Sequence, residues 1–283
     1  MKLSRSDADV FVPDGMEVSA ALARTTHLCV GAHQDDQEFM AYHGIAECFG
    51  KTDLWFGGVV VTNGAGSARA GLYADYTDDD MKEIRRHEQR KASLIGEYSA
   101  QLQLNHPSSV VKDAAADEVV ADLTEIMLAM RPKVIYTHNP ADKHDTHVAV
   151  ALRTIAAVRA LPEEARPEKV IGCEIWRSLD WLCDSDKEVL PVDTHPNLAA
   201  ALSGIFDSQI VGGKRYDAAV MGRRMANATF FESHQVDTYD ALAWGMDLTE
   251  VALNADVDIA AFTFDYIERF RKEVETRIAS LTK

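Results

Sequence analysis

The stretch Val30-Gly31-Ala32-His33-Gln34-Asp35-Asp36-Gln37-Glu38 sets a histidine and two adjacent carboxylates where an apolar run gives way to a polar one. His33 and Asp36 are close enough in sequence to bind one ion from the end of a strand. A neutral imidazole and a carboxylate suit Zn²⁺ at about 2.0–2.2 Å. Asp35 must point elsewhere, since adjacent side chains do not easily face the same ion. A second carboxylate beside an activated water is what a general base requires. The plain alternative for Asp35 and Glu38 is a capping box, which leaves His33 unexplained. A second cluster, Asp142-Lys143-His144-Asp145-Thr146-His147, follows Tyr136-Thr137-His138. His144 and His147 are spaced i,i+3, on one face of a first helical turn. One can ligate a metal while the other reaches a bound substrate. His138 ends its strand either beside the ligands or packed in the core. These residue types at these spacings point to a metal site.

The elements that must position them alternate in type. Residues 27–33, 55–62, 101–105, 134–137 and 170–176 read as buried strands, and 38–49, 81–97, 115–130 and 146–160 as helices. Such alternation implies an α/β fold with a mainly parallel sheet and helices on both faces. Ligands of such sheets sit outside the carboxyl ends of the strands. The loops that matter therefore begin at His33, Asn63, His106 and His138. Beyond about residue 178 the alternation weakens, with helices expected over 197–206, 214–228 and 259–281. We read that part as a mostly helical C-terminal elaboration, and the whole of 1–283 as one domain with its core over about 26–177.

The 283 residues are 47 % hydrophobic and 26 % charged, an ordinary globular balance. With 29 Lys+Arg against 45 Asp+Glu the net charge is −16. That excludes non-specific nucleic-acid binding, which needs cations to displace phosphate counterions. It also excludes electrostatic docking on an anionic membrane. Cys29, Cys48, Cys173 and Cys183 form no CxxC pair and read as thiols in a reducing compartment. The first residues have no apolar leader segment and no run of 18 apolar residues exists, so the expected location is cytoplasmic.

Residues 32–38 (AHQDDQE) resemble the AHPDDE signature of the PIG-L/LmbE-like zinc-dependent N-deacetylases. Arg85, Glu88, Ala92 and Gly96 resemble that family's helix motif, and 142–147 (DKHDTH) is similar to its HxDH motif. The three occur in the family's order, over about residues 26–160. The resemblance implies a Rossmann-like fold holding one Zn²⁺ through His33, Asp36 and His147. It implies Asp35 as general base, and His144 as the group that steadies the oxyanion or protonates the leaving amine. The same donors also accept Fe²⁺, Co²⁺ or Mn²⁺. The implied reaction removes an acetyl or small acyl group from an N-acylated small molecule, by default an N-acetylglucosamine-type sugar. Whether the chain forms a homo-oligomer is left open. Gln34 stands where the family often has Pro. Thr146 stands where it usually has the Asp that orients the catalytic histidine, and Asp145 or Asp142 are the candidate substitutes. Thr146 also supports a rival reading, a metal-binding module with weak or no turnover.

Other candidates are weaker. Gly64-x-Gly66 follows a strand, but Arg69 replaces the third glycine of a dinucleotide fingerprint. A turn bringing Asn63, Ser67 or Arg69 to a substrate is the alternative. Arg85 is either half of a solvated i,i+3 pair with Glu88 or, as in the resemblance, near the pocket. Trp176-Arg177 offers an aromatic platform beside a cation, against simple core packing of Trp176 and Trp181. His234 is a further candidate, though a lone histidine is more often structural.

Overall fold

The computed structural model describes residues 1–282. Eight strands form one sheet in the order β1-β4-β3-β2-β5-β6-β8-β7. They are β1 Asp9–Phe11, β2 His27–Gly31, β3 Phe56–Thr62, β4 Ala100–His106, β5 Val134–His138, β6 Lys169–Cys173, β7 Lys187–Pro191 and β8 Leu242–Asp247. The five central strands β4, β3, β2, β5 and β6 run parallel. β1 joins antiparallel beside β4, β8 antiparallel beside β6, and β7 antiparallel beside β8. The chain therefore builds outward from β2 through β3 to β4, then returns to place β5 on the other side of β2. The strand order reverses between β2 and β5, and in such sheets the ligand crevice opens at that point.

β2, β3, β5 and β6 are largely apolar without alternation because both faces are covered, whereas β4 alternates buried glutamines with leucines. All seven residues of β3 are buried. One face packs on Leu28, Val30, Val59 and Val61 with the helices Glu118–Met130 and Asp145–Ala160. The other packs on Cys29, Phe56 and Tyr136 with the helix Tyr42–Cys48. The helix Asp78–Ile95 opens with a Thr77–Asp80 capping box and three aspartates in its first turn. These satisfy orphan amides and complement the positive end of the helix dipole. Among the described residues no helix is long and apolar enough to cross a membrane.

The structure corrects the sequence reading in three places. The helix expected over 38–49 is two pieces, Asp36–Met40 and Tyr42–Cys48, broken where Ala41 leaves the helical region (φ −114, ψ 23). The strand expected over 170–176 ends at Cys173, which frees Trp176 for the loop beyond. The C-terminal part is not only helical, since it supplies β7 and β8. β7 is a half-buried edge strand that ends in Pro191, a residue tolerated where no neighbour needs its N–H.

Candidate active site

The loop after β2 and the loop after β5 meet at the switch point. His33 Nδ1 lies 3.2 Å from His147 Nε2 and 3.4 Å from Asp36 Oδ2. The other Asp36 oxygen lies 3.5 Å from His147 Nε2. Ligands held at about 2.0–2.1 Å in a tetrahedron stand about 3.3–3.4 Å apart. Each pair of side chains is near that spacing, although the two histidines approach different Asp36 oxygens and can also share a hydrogen bond. Donor atoms of Asp36, His138 and His147, and of His33, His144 and His147, lie close enough together to hold an ion, and this donor set suits zinc. His144 is also within reach of His33 and His147. Its ring lies against theirs, with centroids 5.2 and 4.5 Å away.

The surroundings set the charge states. Burial opposes ionisation of Asp36, but His147 and His138 outweigh it and hold the carboxyl well below its usual range. Burial lowers His33 and, aided by His147, brings His138 down to about 4. His138 is neutral, as its Nε2 must be to accept the Ala32 amide at 2.9 Å. Asp35 is buried, and burial pushes its carboxyl well above the usual value against the pull of Arg85, with Asp36 adding to the rise. Arg85 Nη2 lies 3.3 Å from Asp35 Oδ2 and also donates to the Gln34 carbonyl. Asp35 has φ 94, ψ −31, a conformation that costs a non-glycine residue about 1–3 kcal/mol. Its amide is held by Gln89 Oε1 at 3.1 Å, while Gln89 Nε2 donates to Glu38 at 2.9 Å. The loop is fixed by the helix Asp78–Ile95, not by a capping box: Asp35 makes no side-chain cap, and Glu38 instead accepts from Tyr98 at 2.7 Å.

Residues 28–158 match the family model described as PIG-L: GlcNAc-PI de-N-acetylase. Over this stretch the chain is similar to that family. A curated relative, the uncharacterized deacetylase YaiS of Escherichia coli (strain K12), is 29 % identical over 164 residues, 54 % of this chain and 78 % of YaiS. The N,N'-diacetylchitobiose deacetylase of Pyrococcus horikoshii superposes with a TM-score of 0.60 at 15 % identity, over 80 % of this chain and 84 % of that one. GalB, the 4-carboxy-2-hydroxymuconate hydratase of Pseudomonas putida KT2440, superposes with a TM-score of 0.61 at 16 % identity, over 79 % and 95 %. At such identities the two structures share the fold with this chain. The family model and the curated relative are both named as deacetylases, and the stretch similar to the family model includes the strands and loops that carry His33 and His147.

Thr146 is buried against the cavity, and the exposed Asp145 faces solvent. Asp142 takes the position behind the ligands. Its Oδ2 lies 3.6 Å from His147 Nδ1, with both side chains fully buried, and its Oδ1 accepts the His144 amide at 3.0 Å. The His144 ring has no carboxylate partner and is held by packing between His147 and Trp176, whose ring is 6.0 Å away.

A cavity of about 620 Å³ opens over the metal ligands, lined by His33, Asp35, Asp36, His144, Arg85 and Trp176 among others. Arg69 is turned away from it, bonded to the Ala65 and Tyr76 carbonyls and to Asp78. Its neighbour Ser67 lines the cavity, accepting from Arg85. Arg177 and His234 are exposed and stand outside the lining. Glu88 does not pair with Arg85 but accepts the Ser208 amide and hydroxyl at 2.8 and 2.6 Å. Sequence reasoning missed the C-terminal contribution. Arg224 donates to the Glu38 and Phe39 carbonyls at 2.9 and 3.1 Å, steadying the helix that begins at Asp36. Lys214, Tyr216 and Arg223 close the cavity wall. No motif marks them, since they are single residues of an amphipathic helix and its approach.

Proposed function

We propose that this chain is a zinc-dependent N-deacetylase that removes an acetyl or small acyl group from an N-acylated small molecule, of the N-acetylglucosamine type. The observation that carries the reading is the cluster of His33, Asp36 and His147 at the switch point, with donor atoms 3.2–3.5 Å apart pairwise and Asp35 beside it in the same cavity. His33, Asp36 and His147 would hold the ion. When bound it supplies Lewis acidity, easing deprotonation of water and polarising the amide carbonyl.

The chain's own groups divide the remaining work. Asp35, raised by burial, is a stronger base than an exposed aspartate and takes a proton from the attacking water. Arg85 fixes the direction in which that carboxylate points. Burial and the neighbouring His147 hold His144 below its ordinary value, so it enters neutral and donates a ring N–H towards the carbonyl oxygen as charge develops there. The proton held by Asp35 passes to the departing amine as the C–N bond breaks. Trp176 flanks His144 and offers a flat apolar face to a sugar ring. The sparse, unbridged cysteines support a cytoplasmic location.

The test is acetate release from a panel of N-acetylated amino sugars, by zinc-loaded and chelator-treated protein, with metal content measured by elemental mass spectrometry. About one zinc per chain, lost in His147→Ala, and zinc-dependent acetate release are the expected results. A metal-loaded protein that releases acetate from no member of a broad N-acetyl panel overturns the reading. Iron, cobalt or manganese in place of zinc would revise the ion and keep the chemistry.

A further inference from the structure

The chain is strongly acidic, yet its cavity is not. The lining holds five Lys and Arg residues against two carboxylates, and both carboxylates, Asp35 and Asp36, lie on the floor among the metal ligands. Arg85 is committed to Asp35. The other four cations, Lys112, Lys143, Lys214 and Arg223, have no carboxylate within 4.0 Å among the described residues. A solvated helix face would bring its charges from one element at helical spacing. These four come from separate places. Lys112 ends the helix Ser108–Lys112 beyond β4, and Lys143 lies in the loop beyond β5. Lys214 precedes the helix Tyr216–Phe230, and Arg223 lies within it. Two are anchored to the wall: Lys214 Nζ lies 5.2 Å from the centre of the Trp176 ring, and Arg223 donates to the Ile175 carbonyl. Gathering like charges in a cleft with low-dielectric walls focuses a positive potential there, in a molecule whose outer surface repels anions. The volume, about 620 Å³, also exceeds what an acetamido group needs and matches pockets for whole drug-sized ligands, about 300–1,000 Å³.

We propose that the substrate carries a negatively charged group, phosphate or carboxylate, on the part of the molecule remote from the scissile amide, seated among Lys112, Lys143, Lys214 and Arg223. The inference rests on the deacetylase reading for which end reacts, and on the cavity wall alone for the charge. An uncharged N-acetyl sugar would leave these four cations of the lining without a counter-charge.

The experiment uses the full chain and three probes: N-acetylglucosamine, its 6-phosphate, and N-acetylmuramic acid as the carboxylate. Both kcat/KM for acetate release and calorimetric Kd are measured. Each cation is worth about 1.4- to 5-fold, the range of a solvent-accessible ion pair, so four together should favour a charged probe over the neutral one by at least about fourfold. The preference should shrink from about 0.01 M to about 1 M salt, where the screening length falls from about 30 Å to about 3 Å. Lys143→Gln and Lys214→Gln should each lower the charged-to-neutral ratio by about 1.4- to 5-fold. The two charged probes tell which anion is preferred. Charged probes that bind no tighter than the neutral one at low salt overturn the proposal, whether or not acetate is released. So does a ratio unmoved in both variants. Tighter binding of the charged probes with no acetate from any of them overturns the deacetylase reading instead and leaves the anion seat standing.

Discussion

Replacing Asp142 by Asn should weaken zinc binding without unfolding the protein. The fully buried carboxylate lies 3.6 Å from His147 Nδ1, on the side of the ring away from His33. If Nε2 is to offer its lone pair to an ion, the ring proton must sit on Nδ1, and a carboxylate behind Nδ1 stabilises that tautomer. Asn keeps an oxygen for the His144 amide, now bonded at 3.0 Å, so the loop retains its turn. What is lost is the negative charge. Two unit charges 3.6 Å apart would interact by about 4.6 kcal/mol at an effective dielectric of about 20. A metal-bound imidazole carries only a fraction of the ion's charge, so the expected loss is tenfold to hundredfold in affinity, about 1.4–2.8 kcal/mol. Competition against a chromophoric zinc chelator reads the Kd directly, and thermal unfolding of the metal-free proteins controls for the fold. A variant with wild-type metal-free Tm and a zinc Kd within about twofold of wild type would refute the orienting role of Asp142.

Three further outcomes are expected. Asp35→Asn should lower kcat by about 10²- to 10⁴-fold with zinc content unchanged, read by acetate release and elemental analysis; near-normal turnover removes Asp35 as the base. His144→Ala should keep its zinc and lose kcat more than KM changes, and loss of the metal would instead make His144 a ligand. Asp122→Ala should cost about 2–3 kcal/mol in urea unfolding at neutral pH, because it strands His106 and Ser4, which contact the Asp122 carboxylate at 2.9 and 2.6 Å. Burial raises this carboxyl, but the bonds from His106 and Ser4 outweigh it and hold it below 3.8. Its stabilisation is therefore present above about pH 4 and fades as pH falls through the folded value, so the wild-type advantage should shrink in acid. An advantage constant down to about pH 2 would contradict this sign.

The candidate ligands could be picked out because parallel α/β sheets bring such residues together at strand ends. His33 and Asp36 lie within four positions after one strand, and His144 and His147 within four at a helix start. The position of Asp142, 3.6 Å behind the His147 ring, could be seen only in three dimensions. β7 and β8 escaped notice for a different reason. Their five and six residues gain meaning only from pairing with β6 and with each other. β1 is shorter still, three half-buried residues on the other edge. The cationic wall had no local signature either, being assembled one residue at a time from segments far apart in the chain. Arg224 could be seen as a charge in an amphipathic helix, but not as the donor that holds the helix carrying Asp36.

The placement of the proposed ligands just beyond β2 and β5 bears on when an ion could be acquired. His33 and His147 are 114 positions apart in sequence, yet their strands are neighbours. During synthesis the first two ligands emerge long before the third, and two donors at one strand end bind an ion weakly. A closed loop of this length is entropically expensive until β3 and β4 have filled the space on the far side of β2. The proposed site is complete only once β5 has docked beside β2. Loading then acts as a rivet across the two halves of the sheet, stabilising the native state alone and in proportion to the free metal available. Metal-starved cells should hold this chain folded but measurably easier to unzip at the β2–β5 seam.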